Sequence, residues 1–230
     1  MVRRAASAGE VLSIMSSSIE IAEFVDPSFG ENAYVVWRRR GGPCWIIDPG
    51  LPPSAVEIIE HIGLHELKPD AIVLTHGHAD HIAGVPEIRS AWPELPIHIA
   101  REEAATLTDP KENLSSGMGM AFAPGIRQTH DLAAGSTLTL DDTTWHVLDV
   151  SGHSPGGRAL YCATAGLVIV GDALFSGSIG RTDFHHSSHE RLIRNIKENL
   201  LVLPDETKVY SGHGPVTTIG AERAYNPFLN

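Results

Sequence analysis

Four apolar runs in this sequence end in the same way, and that repetition constrains the fold more than any other feature. "DAIVL" leads into "THGHADH" at residues 75–81, and "LDVSGH", "LVIVGD" and "KVYSGH" each finish on a glycine followed by His153, Asp172 or His213. Glycine before the donor allows a tight turn and close backbone approach. In extended backbone alternate side chains share a face, so His76 and His78 can converge on one point. Asp80 and His81 follow after a one-residue step, at the start of a helix, and aim at a neighbouring point. Seven donors at four strand ends can therefore meet along one edge of the sheets as two adjacent cation sites. His76, His78 and His153 serve one; Asp80, His81 and His213 serve the other; Asp172 bridges. Nitrogen and carboxylate donors without thiolate suit zinc, iron or manganese.

The remaining pattern supplies the scaffold. Strands are expected at Ile19–Val25, Ala33–Arg38 and Cys44–Asp48, rich in Ile, Val, Trp and Tyr. "DPGLPPS" at 48–54 is turn chemistry, with Ser54 as a cap for a helix whose apolar face is Val56, Ile59 and Ile62. A short buried strand at Ala71–Leu74, a helix over Val85–Trp92 and a strand at 97–100 follow. Residues 108–125 read as a Gly/Pro-punctuated loop of the length that is usually functional or mobile. Strands recur at Thr137–Leu140, Trp145–Val150, Ala159–Ala163, Leu167–Val170 and Lys208–Ser211. Ser187 and Glu190 form a capping-box signature before a helix carrying Leu192, Ile193, Ile196 and Leu200. Two strand-rich halves, each with helices, suggest two sheets back to back with helices outside. The pattern alone supports α/β or α+β.

Charge and composition exclude several classes. With 17 Lys and Arg against 28 Asp and Glu, the net charge is −11 and no basic run exceeds Arg38–Arg40. Nucleic acid is not an expected partner, because phosphate binding relies on a basic surface. No stretch approaches the ~20 apolar residues that span a bilayer. Glu10 interrupts any signal-peptide core, so the cytoplasm is the expected compartment. Met15 reads as the true start, and residues 1–18 as an upstream extension or disordered tail before a single domain at 19–230. Cys44 and Cys162 sit in apolar runs and are expected as buried reduced thiols. Of the 13 histidines, His61, His65, His98, His130 and His146 read as structural or surface residues. His185, His186 and His189 lie in a loop near the proposed site.

"DPG" at 48–50, "THGHADHIAG", "SGHSPGG", "GDALFSGSIGRTDF" and "GHGPVTTIGAERAYNPF" together resemble the metallo-β-lactamase fold superfamily, within it the short bacterial glyoxalase II-like hydrolases. The resemblance covers nearly the whole chain from about residue 19. It implies a four-layer αββα sandwich and a binuclear centre with the ligand division above, most often zinc. It also implies that Asp48 steadies the motif loop from behind, as metal ligands generally require. Three departures stand out. Gly157 replaces a second histidine of the "GHTPGH" type, which leaves His153 as the ligand. The C-terminal helical domain of the larger glyoxalase II enzymes is expected to be absent, since 17 residues follow His213. Arg181 matches the family's basic contact to glutathione, while Asp183 stands where its tyrosine would be.

The activity that follows is hydrolysis of a small-molecule thioester, S-lactoylglutathione being the family's type substrate. A hydroxide bridging two cations, its pKa lowered from 15.7 to about 7, would attack the acyl carbon. Asp80 and Asp172 are the catalytic carboxylates in this reading. Arg181 is a candidate contact to a glutathione conjugate, with Tyr225 and Asn226 as candidates for the pocket rim. The alternative belongs to another reaction class: persulfide dioxygenases share the fold and hold a single iron, here by His76, His153 and Asp172. A superfamily nuclease is disfavoured by the charge, and a non-catalytic metal-binding protein would turn over no ester at all.

Overall fold

The computed structural model describes residues 18–119 and 121–229. The expected N-terminal extension therefore lies, Ser18 apart, outside the described residues. Two six-stranded sheets organise the rest. The first holds β1 (Glu20–Val25), β2 (Asn32–Trp37), β3 (Pro43–Ile47), β4 (Lys68–Val73), β5 (Ile97–Ile99) and β6 (His130–Asp131) in chain order. The second comprises β7 (Thr137–Leu140), β8 (Thr143–Asp149), β9 (Arg158–Cys162) and β10 (Leu167–Gly171), joined by β13 (Lys208–Ser211) and β14 (Thr217–Thr218). A hairpin of β11 (Leu174–Phe175) and β12 (Ser178–Ile179) stands apart.

Side-chain alternation explains why the sheets stack. Tyr34, Val36, Trp45, Ile47, Ala71 and Val73 face Leu140, Trp145, Val147, Leu160 and Ile169 in one buried layer. The opposite faces of the same strands, among them Val35, Ile46 and Ile72, bury against α1 (Ser54–Leu64), α2 (Ala79–Ile82) and α3 (Val85–Ala91). Across the molecule Val168, Val170 and Val209 pack on Leu192 and Ile196 of α4 (His189–Asn195) and its continuation, and on Ile219 of α5 (Ile219–Tyr225). Every central strand is covered on both sides, which is the αββα sandwich. Cys44 and Cys162 are buried free thiols, and burial pushes the Cys44 thiol up to about 12.

Two local expectations change. The buried face of α1 is Ala55, Ile58 and Ile62, while Val56 is 44% exposed. Both sets share Ile62 and both have helical spacing; small Ala55 wins because it docks under the turn at Gly84. Ser54 is the first helical residue, and among the described residues its hydroxyl has no hydrogen-bond partner and the helix no side-chain cap. At α4 the cap is Ser188, whose Oγ accepts from Arg191 N at 3.3 Å. Ser187 instead donates to the Phe184 carbonyl at 2.6 Å. Two adjacent serines compete there, and the chain's entry direction selects the second.

The parallel pairs β3–β4, β4–β5 and β10–β13 bring their C-terminal ends to one edge. The loops after β3, β4, β8, β10 and β13 emerge there, and they carry the donors predicted from sequence.

Candidate metal centre

His76 and His78 lie on the loop between β4 and α2, and the glycine between them is enforced by packing. A Cβ at Gly77 would overlap the Thr106 side chain. His76 Nε2 lies 3.1 Å from His78 Nδ1, and His153 Nε2 lies 2.9 Å from the same atom. The other ring nitrogens decide which lone pairs are free. His153 Nδ1 sits 2.8 Å from the Arg181 carbonyl and must donate to it. Thr75 Oγ1 donates to Asp48 Oδ2 at 2.5 Å, so it accepts from His76 Nδ1 at 3.1 Å. Three imidazole nitrogens thus converge, and those of His76 and His153 point their lone pairs inward. A tetrahedral cation with bonds of ~2.0–2.1 Å would separate its donors by roughly 3.3 Å, close to what is seen.

The second set adjoins the first. Asp80 Oδ2 is 3.4 Å from His213 Nε2 and 3.9 Å from His81 Nε2. Asp172 spans the two: Oδ2 is 3.4 Å from His153 Nε2 and 3.5 Å from His213 Nε2, while Oδ1 is 3.3 Å from His81 Nε2. Buried His81 Nε2 and Asp172 Oδ1 face only each other, at 3.3 Å and without a well-formed hydrogen bond among the described residues. Poorly satisfied buried groups are rare in folded proteins, and a shared cation would satisfy both. The donor set therefore fits a pair of divalent ions.

Glycine makes the close approach feasible. Gly171, at φ +51°, closes β10 where a Cβ would strike Thr75 Oγ1. Gly212 precedes His213, and a Cβ there would occupy the place of Asp172 Oδ1 and come within 2.7 Å of His81 Cε1.

Behind the donors Asp48 occupies the left-handed region at φ +46°, which Asp tolerates better than most residues. Its carboxylate accepts from Thr75 N at 2.8 Å, from Thr75 Oγ1 and from His81 Nδ1 at 3.0 Å. Asp48, His76 and His81 also cluster closely enough to hold an ion. The Asp48 oxygens are already committed to these hydrogen bonds, however, which tie Thr75 and His81 to the turn after β3.

Electrostatics separates the two sets. Burial, reinforced by the neighbouring imidazoles, holds His76 well below the ordinary histidine value and His78 at about 3. His81 is buried too, but Asp172 and Asp80 overcome that penalty and raise it well above 6.5. Burial opposes ionisation of Asp80 and Asp172, yet the His81 charge pulls both below the usual carboxylate range. A cation entering the second set must therefore displace the proton on His81. Loading at pH 7 is expected to release at least one proton, and apparent affinity should rise with pH until the pH passes the raised value of His81. Calorimetric titration in buffers of different ionisation enthalpy counts these protons; a count of zero would contradict the assignment.

The other candidates fall in different places. Arg181 is exposed, ion-paired with Asp183 at 2.9 Å, its guanidinium 4.5 Å from the centre of the Phe184 ring. Tyr225 is 83% exposed on the last turn of α5. Asn226 is not at a rim: it is fully buried, and its amide donates to the Ser178 carbonyl and to Glu222, tying the β11–β12 hairpin to α5. His61 and His65 stack on each other and meet Trp37 at a tilt, and His98 stacks on His130. His185 and His186 touch at a tilt, and His189 lies beside Thr182; none joins a donor set among the described residues.

Sequence reasoning missed four residues around the centre. Phe184 sets its ring edge against His78 and His153, at 5.4 and 5.8 Å, and Phe175 stands 6.0 Å from His213. Glu31 is fully buried 3.7 Å from His81 Nδ1, and burial raises its carboxyl well above the normal range. Glu103, also buried and raised by burial, accepts from Gly156 N at 2.6 Å. Both glutamates sit in polar stretches, "GEN" and "REEAATL", where nothing in the sequence distinguishes a buried acid from a solvated one.

This fold and this double donor cluster define a class. The chain belongs to the metallo-beta-lactamase superfamily, whose family model matches residues 27–213. It is 40% identical over 188 residues to the probable metallo-hydrolase YqgX of Bacillus subtilis, covering 81% of this chain and 87% of that protein. Hydroxyacylglutathione hydrolase GloC of Haemophilus influenzae is 32% identical over 207 residues, covering 88% of this chain and 94% of GloC. Among solved structures, the B3 metallo-beta-lactamase BLEG-1 superposes with a TM-score of 0.85 at 36% identity, covering 92% of this chain and all of that one. TTHA1623 in a di-iron-bound form does so at 0.79 and 34%, covering 90% and all of that chain. Together these matches support a metallo-hydrolase.

Proposed function

We propose that this protein hydrolyses a thioester of the glyoxalase II type, a 2-hydroxyacyl thioester such as S-lactoylglutathione, at a binuclear centre. The observation that carries this reading is the carboxylate of Asp172 lying within 3.5 Å of histidines from both donor sets. Its ligands are His76, His78 and His153 on one side, Asp80, His81 and His213 on the other, and Asp172 between. Two cations there would supply Lewis acidity and bring the pKa of water to about 7. Zinc suits the nitrogen-rich set; the di-iron form of TTHA1623 makes iron the second choice.

The protein's own residues do the rest. Asp80 and Asp172, held ionised, accept hydrogen bonds from a water lying between the two sets and fix its orientation. Two separate pairs orient the imidazoles: the Arg181 carbonyl holds His153 Nδ1, and the Asp48 carboxylate holds His81 Nδ1. Phe184 and Phe175 form apolar walls that restrict water at the acyl carbon. The Arg181 guanidinium exchanges Asp183 for a carboxylate of the thiol carrier. GloC, named as a hydroxyacylglutathione hydrolase, supports that carrier.

Elemental analysis paired with a substrate panel tests the reading. Two equivalents of metal and turnover of S-lactoylglutathione are expected, with β-lactams and phosphodiesters inert. One iron per chain with oxygen uptake on a glutathione persulfide would replace it with the dioxygenase. Within the panel, Arg181→Ala is expected to raise KM for the glutathione thioester roughly 5–10-fold with a smaller change in kcat, the mark of lost uniform binding. An unchanged KM removes Arg181 from the substrate site.

A further inference from the structure

The 3-10 turn Arg101–Leu107 provides none of the donors, yet it touches both loops that carry the three-histidine set. Glu103 is 1% exposed, and its Oε1 accepts from Gly156 N at 2.6 Å, in the loop that follows His153. One turn on, Thr106 fills the space that a side chain at Gly77 would need. Gly156 is equally confined, since a Cβ there would lie 2.9 Å from Glu103 Cγ and from Ala100 Cβ. The same turn sends Glu102 to Arg158 at 3.1 Å, and Arg158 N donates to the Thr75 carbonyl at 2.9 Å. These contacts span the gap across which His78 Nδ1 and His153 Nε2 meet at 2.9 Å. Among the described residues, none of the turn's hydrogen bonds reaches Asp80, His81 or His213 directly, the nearest running through Asn113 to Ala79 N; His81 is held by Asp48.

We infer that Glu103 is a positioning residue that sets the spacing between the His76–His78 loop and the His153 loop, and so controls cation affinity at the three-histidine site alone. The inference rests on the binuclear reading above. Physically, the buried carboxylate accepts from Gly156 N in one loop, while the turn that carries it packs Thr106 against Gly77 in the other. Removing it leaves the Gly156 donor unsatisfied, and the contact of the turn with both loops relaxes to recover solvent. Outer partners of metal ligands typically govern affinity by 10–100-fold.

Each site is isolated first, and Co2+ is titrated with no substrate present. In a His213→Ala background, where the three-histidine site remains intact, adding Glu103→Ala is expected to weaken Co2+ binding about 10–100-fold. In a His153→Ala background, where the other site remains, the same change should alter affinity less than about threefold, as expected for residues with no shared partner. Glu103→Gln keeps one acceptor oxygen and is expected to weaken Co2+ binding by an intermediate amount, about 3–10-fold, in the His213→Ala background alone. If Glu103→Ala does not fold, Glu103→Gln decides: a weakening confined to the His213→Ala background supports the inference. Equal weakening in both backgrounds, or none in either, overturns it. Wild-type protein that binds no Co2+ would instead refute the metal centre and take this inference with it, so the two failures are distinct.

Discussion

Asp172→Ala is expected to reduce bound metal below two equivalents and turnover by more than about 100-fold, while the circular dichroism of the fold persists. Losing an outer partner of a ligand costs 10–100-fold, and Asp172 is itself placed to be a ligand to both ions. The fold should survive because the carboxylate belongs to no core layer; it projects just beyond β10 toward His81, His153 and His213. Metal content by elemental analysis and turnover are read on the same sample. Two equivalents with near-wild-type rates would eliminate the bridging role, and with it the division of donors into two coupled sites.

Trp145→Ala should produce the largest loss of stability. Trp145 is fully buried between the sheets, its ring 5.5 Å from that of Trp45, and its Nε1 donates to Thr143 Oγ1 at 3.1 Å. Truncating a buried Trp costs about 3–5 kcal/mol. For a chain of this length that corresponds to a fall in Tm of roughly 6–20 °C. The hydroxyl of Thr143 keeps its bond to the Leu140 carbonyl, so no polar group is stranded by the change. Denaturant unfolding measures the cost. A shift within experimental error would mean that the two sheets do not depend on this contact, contrary to the layered core.

The site was unusually legible. Gly152, Gly171 and Gly212 each precede a donor, and all three turned out to sit where a Cβ would collide with a neighbour. A steric requirement of that kind leaves a mark in sequence because only one residue type satisfies it. Strand positions were legible for a similar reason: a sheet covered on both faces needs continuous apolar runs, and β2, β3 and β10 are such runs. Helix faces were less so. In α1 two overlapping apolar stripes satisfy the helical period, and only the docking of Ala55 beneath Gly84 chose between them. Asn226 illustrates the opposite difficulty. Its polar amide suggested a rim, but its hydrogen bonds to Ser178 and Glu222 lie entirely inside the protein.

By itself, the sequence determined which atoms can bind a cation and that strands must present them, because donor chemistry and glycine spacing are local properties of the chain. Tertiary structure alone decided that Phe184 and Phe175 stand beside the donors and that Glu31 and Glu103 are buried next to them. Those are relations between segments far apart in the chain. They exist only once two sheets have stacked and their strand ends share an edge, since burial and distance are properties of the packed molecule rather than of any residue in it.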